Sequence, residues 1–137
     1  MARILAIDYG TKRTGLAVTD PLRIIASPLD GVYTKDLLLY LKNYIEKEEV
    51  DTLVVGWPTN DDGTDTNNTA HVRGFVRKLK KEFPGIPVAL QDEWSTSKSA
   101  LQSMVAAGTK KKSRRNKLNV DQVSATIILQ TYLESKS

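Results

Sequence analysis

The sequence predicts an α/β protein: a mixed five-stranded sheet whose first three strands form an antiparallel meander, with helices on both faces. Two observations carry this. Residues 3–29 read as three short apolar runs broken by turn formers, and beyond Thr34 helical spacing alternates with short strand-like runs. A meander followed by alternating helix and strand implies a sheet with both antiparallel and parallel neighbours.

The elements follow in order. Arg3 to Asp8 is an apolar run consistent with a buried strand, followed by the turn Tyr9-Gly10-Thr11-Lys12-Arg13. Thr14 to Thr19 is a second strand, with Gly15 where backbone can approach closely. Ile24 to Leu29 is a third, and Pro28 marks it as an edge or a bulge. Leu37, Leu38, Leu41, Tyr44 and Ile45 repeat at helical spacing, with Thr34 placed to cap the start. Asp51 to Gly56 is a short buried strand, and Trp57 to Asn68 a polar loop. Val72, Phe75, Val76 and Leu79 mark a second helix closed by Pro84-Gly85, and Pro87 to Gln91 a fifth strand. Ala100, Leu101, Met104 and Val105 mark a third helix stopped by Gly108, and Val120 to Leu133 a last one.

The 137 residues suit one domain, 1–137, with a core of its own. There is no cysteine, which excludes disulfides, thiolate catalysis and cysteine-based zinc sites. With His71 the only histidine, a serine triad lacks a base. Apolar runs such as 127–129 are far too short to cross a bilayer, and the N-terminus enters a strand without a signal-peptide layout. The expectation is a cytoplasmic protein with no membrane partner. Net charge is +4. Lys110, Lys111, Lys112, Arg114, Arg115 and Lys117 crowd one stretch without an intervening acid, which suits an anionic partner.

Four acids stand out by position. Asp8 ends the first strand after Ile4, Leu5, Ala6 and Ile7; it is either a tight-turn residue or a charge held at the mouth of the sheet by a cation. Asp92 and Glu93 end the last strand. Adjacent residues of an extended chain point oppositely, so one of them faces the site of Asp8, and the other can favour the helix expected near Ser95. Asp121 is read as opening the last helix. Ala125, Ile128 and Tyr132 follow it on one stripe, so it is either a first-turn acid, with Asn119 and Gln122 as a capping box, or an inward-facing ligand. If these acids converge, their mutual repulsion calls for bound cations, and hard oxygen donors suit Mg²⁺ or Mn²⁺. Two such ions activate a water and stabilise the leaving oxygen of a phosphodiester.

The segments Asp8-Tyr9-Gly10-Thr11-Lys12-Arg13-Thr14-Gly15, Gly56-Trp57-Pro58 with Asp62-Gly63-Thr64, Asp92-Glu93-Trp94-Ser95-Thr96, and Val120-Asp121 with Ala125 and Ile128-Leu129 resemble the YqgF (RuvX) family, in order over nearly the whole chain. The resemblance implies an RNase H-like fold and an acidic site of Asp8, the Asp92-Glu93 pair and Asp121. Asp8, Glu93 and Asp121 are the expected metal ligands and Asp92 a further catalytic candidate. It also implies nuclease activity in 5′-end maturation of pre-16S rRNA, with Holliday junction resolution as the alternative. Two departures stand out: Trp94 replaces an arginine usual in the family, and Trp57-Pro58 replaces Leu-Pro.

Lys12 and Arg13, directly after Asp8, and the cluster of Lys110, Lys111, Lys112, Arg114, Arg115 and Lys117, just before Asp121, are the expected phosphate contacts. Such contacts are indifferent to sequence and sensitive to salt. Asp61, Asp62 and Asp65 lack the spacing and closing Glu of a calcium loop. Two other classes compete with a nuclease. Asp8-Tyr9-Gly10-Thr11 also resembles the phosphate loop of actin-like ATPases, although 137 residues give only one lobe. A non-catalytic nucleic-acid-binding module would use the acids structurally. A resolvase acts on two strands and so implies a homodimer; a single-strand processor can be a monomer.

Overall fold

A computed structural model describes residues 2–58, 68–92 and 117–136, with the side chains of residues 92, 117–122 and 136 outside the description. Five strands, β1 (Arg3–Asp8), β2 (Arg13–Thr19), β3 (Ala26–Tyr33), β4 (Val50–Trp57) and β5 (Val88–Asp92), form one sheet in the order β3-β2-β1-β4-β5. The first three pair antiparallel, while β4 runs parallel to both β1 and β5. The described helices are α1 (Leu37–Lys47), α2 (Thr69–Glu82) and α3 (Lys117–Lys136). The helix expected around Ala100–Val105 lies outside the described residues.

Period-two alternation divides the strands between two cores. Leu5 and Ile7 of β1 join Leu53 and Val55 of β4, Leu37 and Leu41 of α1, and Val72, Phe75 and Leu79 of α2. Ile4 and Ala6 join Val54 of β4 and Ala125, Ile128 and Leu129 of α3 on the other face. Helices therefore cover both faces. β1 has a strand on either side and side chains buried above and below, which is why it reads as an unbroken apolar run.

Three expected boundaries move, each for a visible reason. The third strand begins at Ala26 because the Asp20 carboxylate accepts the N–H groups of Ile24 and Ile25 at 2.8 and 2.9 Å, folding them into a turn. Arg23 takes a left-handed φ of 60° in that turn, where it donates to the Ala2 carbonyl and pairs with Asp51. The strand runs on to Tyr33 because Gly31, Val32 and Tyr33 pair with Gly15, Thr14 and Arg13. Pro28 does sit on an edge strand, next to a register shift opposite Leu16 and Ala17. Thr34 does not cap α1; it starts a 3-10 turn, Thr34–Asp36, that leads into the helix. The last helix starts at Lys117, so Asn119 and Asp121 lie within its first turns and Asn119 is no cap.

Candidate active site

The carboxyl ends of the three parallel strands share one rim, the usual place for a site in an open α/β sheet. Asp8 ends β1 there, half-buried, on the face shared with Ile4 and Ala6. Its Cα partner on β2 is Gly15, which in turn faces Gly31 on β3. On the other side, one residue beyond the Ile7–Val55 pair, stands Gly56. The carboxylate is thus flanked across the sheet by positions without side chains. Gly15 and Gly56 leave room beside it for ions or for close approach of a ligand backbone.

The loop after Asp8 is braced from three directions. The Thr34 hydroxyl donates to the Gly10 carbonyl and lies 3.0 Å from the hydroxyl of fully buried Thr14. The Thr34 N–H donates to the Lys12 carbonyl at 2.9 Å. The Asn68 amide, at the start of α2, donates to the Tyr9 carbonyl at 3.3 Å, and the Tyr9 ring stacks on Phe75 of α2 at 4.5 Å. Gly10 itself is required, because a Cβ there would run into the Arg13 carbonyl. A shallow hollow lined by Gly10, Thr11, Lys12, Arg13 and Asn68 results. Lys12 is exposed beside it and Arg13 is half-buried, both within the Asp8 loop or at its exit.

The neighbouring strand end is fixed as well. The Thr69 hydroxyl donates to the Pro58 carbonyl at 2.8 Å, and the Arg73 guanidinium lies 5.6 Å from the Trp57 ring centroid. Trp57, expected in a loop, is the last residue of β4 and packs against the α1/α2 core.

Asp92 ends β5 opposite Trp57. Its position continues the Val88 alternation, on the face that Trp57 shares, whereas Ala89 belongs to the α3 side with Asp8. α3 brings in position 121 from the far end. Its C-terminal residues Tyr132 and Leu133 line a cleft with Ile4 and Thr52, at the starts of β1 and β4. Running back from Tyr132 to Asp121 covers about 17 Å of helix, and Ile4 to Asp8 covers about 13 Å of strand. Ala125 and Ile128, one and two turns beyond position 121 on the same stripe, are fully buried against the sheet. The backbone of α3 thus runs from the Ile4 end of β1 back toward the end that carries Asp8. Glu93, Trp94, Lys110, Lys111, Lys112, Arg114 and Arg115 lie outside the described residues, as does the side chain of Lys117. His71 is exposed on the first turns of α2. Sequence reasoning missed the bracing by Thr34, Asn68 and Thr69; their only signal was small hydroxyl and amide residues flanking the two rim loops.

A meander of three antiparallel strands joined to two parallel ones, acids at the parallel rim and a C-terminal helix across one face define the RNase H-like class. Solved structures share this fold. Thermus thermophilus RuvC in complex with a Holliday junction aligns with a TM-score of 0.58 at 16% identity, covering 98% of this chain and 96% of that one. The fowlpox virus resolvase with Holliday junction DNA aligns at 0.61 and 12% identity, covering 98% of each. A family profile described as "RuvX: Holliday junction resolvase" matches residues 2–135, and the chain belongs to that family. Relatives named "Putative pre-16S rRNA nuclease" are 51% identical in Christiangramia forsetii, over 97% of this chain and 98% of that one. In Bacteroides thetaiotaomicron the figure is 51%, over 99% of both.

Proposed function

We propose that this chain is a cytoplasmic endonuclease that hydrolyses phosphodiesters in 5′-end maturation of pre-16S rRNA, with Mg²⁺ or Mn²⁺ held by Asp8, Glu93 and Asp121. The observation that supports it is Asp8 at the rim end of β1 on the face covered by α3, with Ala125 and Ile128, one and two turns beyond position 121, buried against that same face. The names of the relatives supply the substrate class.

The donor set fits a hard divalent ion: carboxylates only, with glycines beside Asp8 where a bulkier side chain would fill the space. Glu93 is preferred over Asp92 on alternation. Ala89 and Gln91 occupy the Asp8 side of β5, and 93 is the next position in that series. Two such ions supply an activated water and a stabilised leaving oxygen. The chain's own residues orient the substrate. Lys12 and Arg13 sit where phosphates flanking the scissile bond pass, and the braced Gly10 loop holds Asp8 in place without reorganisation. Lys110, Lys111, Lys112, Arg114, Arg115 and Lys117 grip the strand on the α3 side.

The fold shared with junction-bound resolvases favours one second reading, resolution of branched DNA by a homodimer. The test is Mn²⁺-dependent cleavage of a pre-16S rRNA 5′ segment and of a four-way DNA junction by the wild type, Asp8→Asn, Asp92→Asn and Glu93→Gln. Asp8→Asn and Glu93→Gln should lose about a hundredfold or more in cleavage while still binding; Asp92→Asn should keep it. Faster cutting of the junction would select the second reading. No metal-dependent cleavage of either substrate would leave a non-catalytic binding module.

A further inference from the structure

The exposed face of α2 is strongly basic. Arg73, Arg77, Lys78, Lys80 and Lys81 are all exposed, as is His71, while Val72, Phe75, Val76 and Leu79 fill the buried face. The only acid of this helix, Glu82, pairs with Lys42 of α1 at 3.1 Å. Among the described residues no carboxylate pairs with Arg77, Lys78, Lys80 or Lys81. Arg77 and Lys81 stand four residues apart. At that spacing opposite charges support a helix and like charges weaken it. A face kept merely for solubility would alternate sign; this one keeps its repulsion, which an anionic ligand would relieve.

The position of the helix says which anion. Its first turn is tied to the rim through Asn68 and Tyr9, and through Thr69 and Pro58. Beside it a groove of about 560 Å³ opens between α1 and α2, lined by Lys35, His71, Lys78, Thr11 and Thr34 among others. Cations and hydroxyls therefore continue from the Asp8 loop onto α2. The helix spans fourteen residues. Its cations run from Arg73 to Lys81, about 12 Å, the run of about three to four phosphates along one strand at about 3.4 Å each.

We infer that the basic face of α2 is a second phosphate track, which holds the helical arm of the nucleic acid leaving the rim on the α1/α2 side. The inference rests on the nucleic-acid reading above and adds a place for the part of the substrate that is not cut. Backbone phosphate is the recognised chemistry, so RNA and DNA duplex arms are both accommodated.

The test uses fluorescence anisotropy over a salt series, on an Asp8→Asn background that holds substrate uncut, with RNA and DNA duplex arms of increasing length. Replacing Arg77, Lys78 and Lys81 together by Gln should weaken binding about tenfold or more near 0.1 M salt and reduce the log–log salt slope by about two to three. Lengthening the arm by about four base pairs should tighten the parent and not the variant. In the wild-type background the same replacement should raise KM and leave kcat unchanged. A triple that exchanges Lys and Arg at these positions should bind like the parent. An unchanged affinity and slope in the Gln triple, with its helical circular dichroism intact, overturns the track. Should the triple unfold, the single Gln variants each read about one unit of slope, and no change in any of them overturns it equally. A parent that binds but a wild type that never cleaves removes the nuclease reading alone; a parent that binds no polynucleotide removes both.

Discussion

The two faces of the sheet are packed to different ends. Under α1 and α2 the strands present Leu5, Ile7, Leu16, Leu53 and Val55; under α3 they present Ala6, Ala17, Val54 and Ala89, with Ile4 the one large side chain among them. Large side chains remove more apolar surface from water, so the first face supplies most of the hydrophobic stabilisation. Small ones bring a helix close to the sheet, so the second face determines how near position 121 comes to Asp8. Stability and site geometry are thereby drawn from opposite sides of the same strands. Asp8 continues the Ile4 and Ala6 alternation onto the thin side.

Substitutions can break this division. The largest effect is expected from Leu79→Ala on the thick side, where a fully buried side chain is removed. It should cost about 2–5 kcal/mol in urea unfolding and leave cleavage per folded molecule close to that of the wild type. Ala6→Leu on the thin side should cost less, about 1–3 kcal/mol from overpacking, yet lower cleavage far more by pushing α3 off the rim. If Ala6→Leu cleaves as well as Leu79→Ala, the thin face has no special part in the site.

Smaller again is Thr34→Val, which removes the hydroxyl bonded to Gly10 and Thr14. It should cost about 1 kcal/mol in thermal or urea unfolding and lower cleavage by loosening the Asp8 loop. The smallest effect concerns Tyr40, on the margin of the thick core. Burial, reinforced by the charge of Asp30 to which it is hydrogen-bonded, pushes its phenol up from 10.0 to about 12. The unfolded chain then releases that proton first, so stability from this group is full below pH 10 and declines as pH rises toward 12. An absorbance titration of wild type against Tyr40→Phe reads the value directly; Asp30→Asn should draw it back toward 10.0.

Much of this is legible in the sequence alone. The apolar run Ile4–Ile7 ending in Asp8 marks a strand buried on both sides, and Pro28 marks an edge. Both are local consequences of residue type, and both stand. The start of β3 was misplaced because Ile24 and Ile25 look like strand residues, while the Asp20 carboxylate holds their amides in a turn. Thr34 was misread because a hydroxyl beside a helix caps it when nothing else competes, and here Gly10, distant in sequence, takes it. The basic face of α2 was present as the run Arg73 to Lys81 and went unread beside the denser cluster at 110–117.

What the sequence determined alone was periodicity: which residues alternate along strands, which repeat along helices, and which acids end them. Those are short-range properties, set by backbone geometry and side-chain type within a few residues. The tertiary structure alone decided that β4 lies beside β1, that α3 covers the face to which Ile4 and Ala6 point, and that it runs back along that face. Those depend on contacts between residues far apart in the chain, such as Ile7 with Val55 and Ile4 with Ala125, where packing and register, rather than any local pattern, choose the partner.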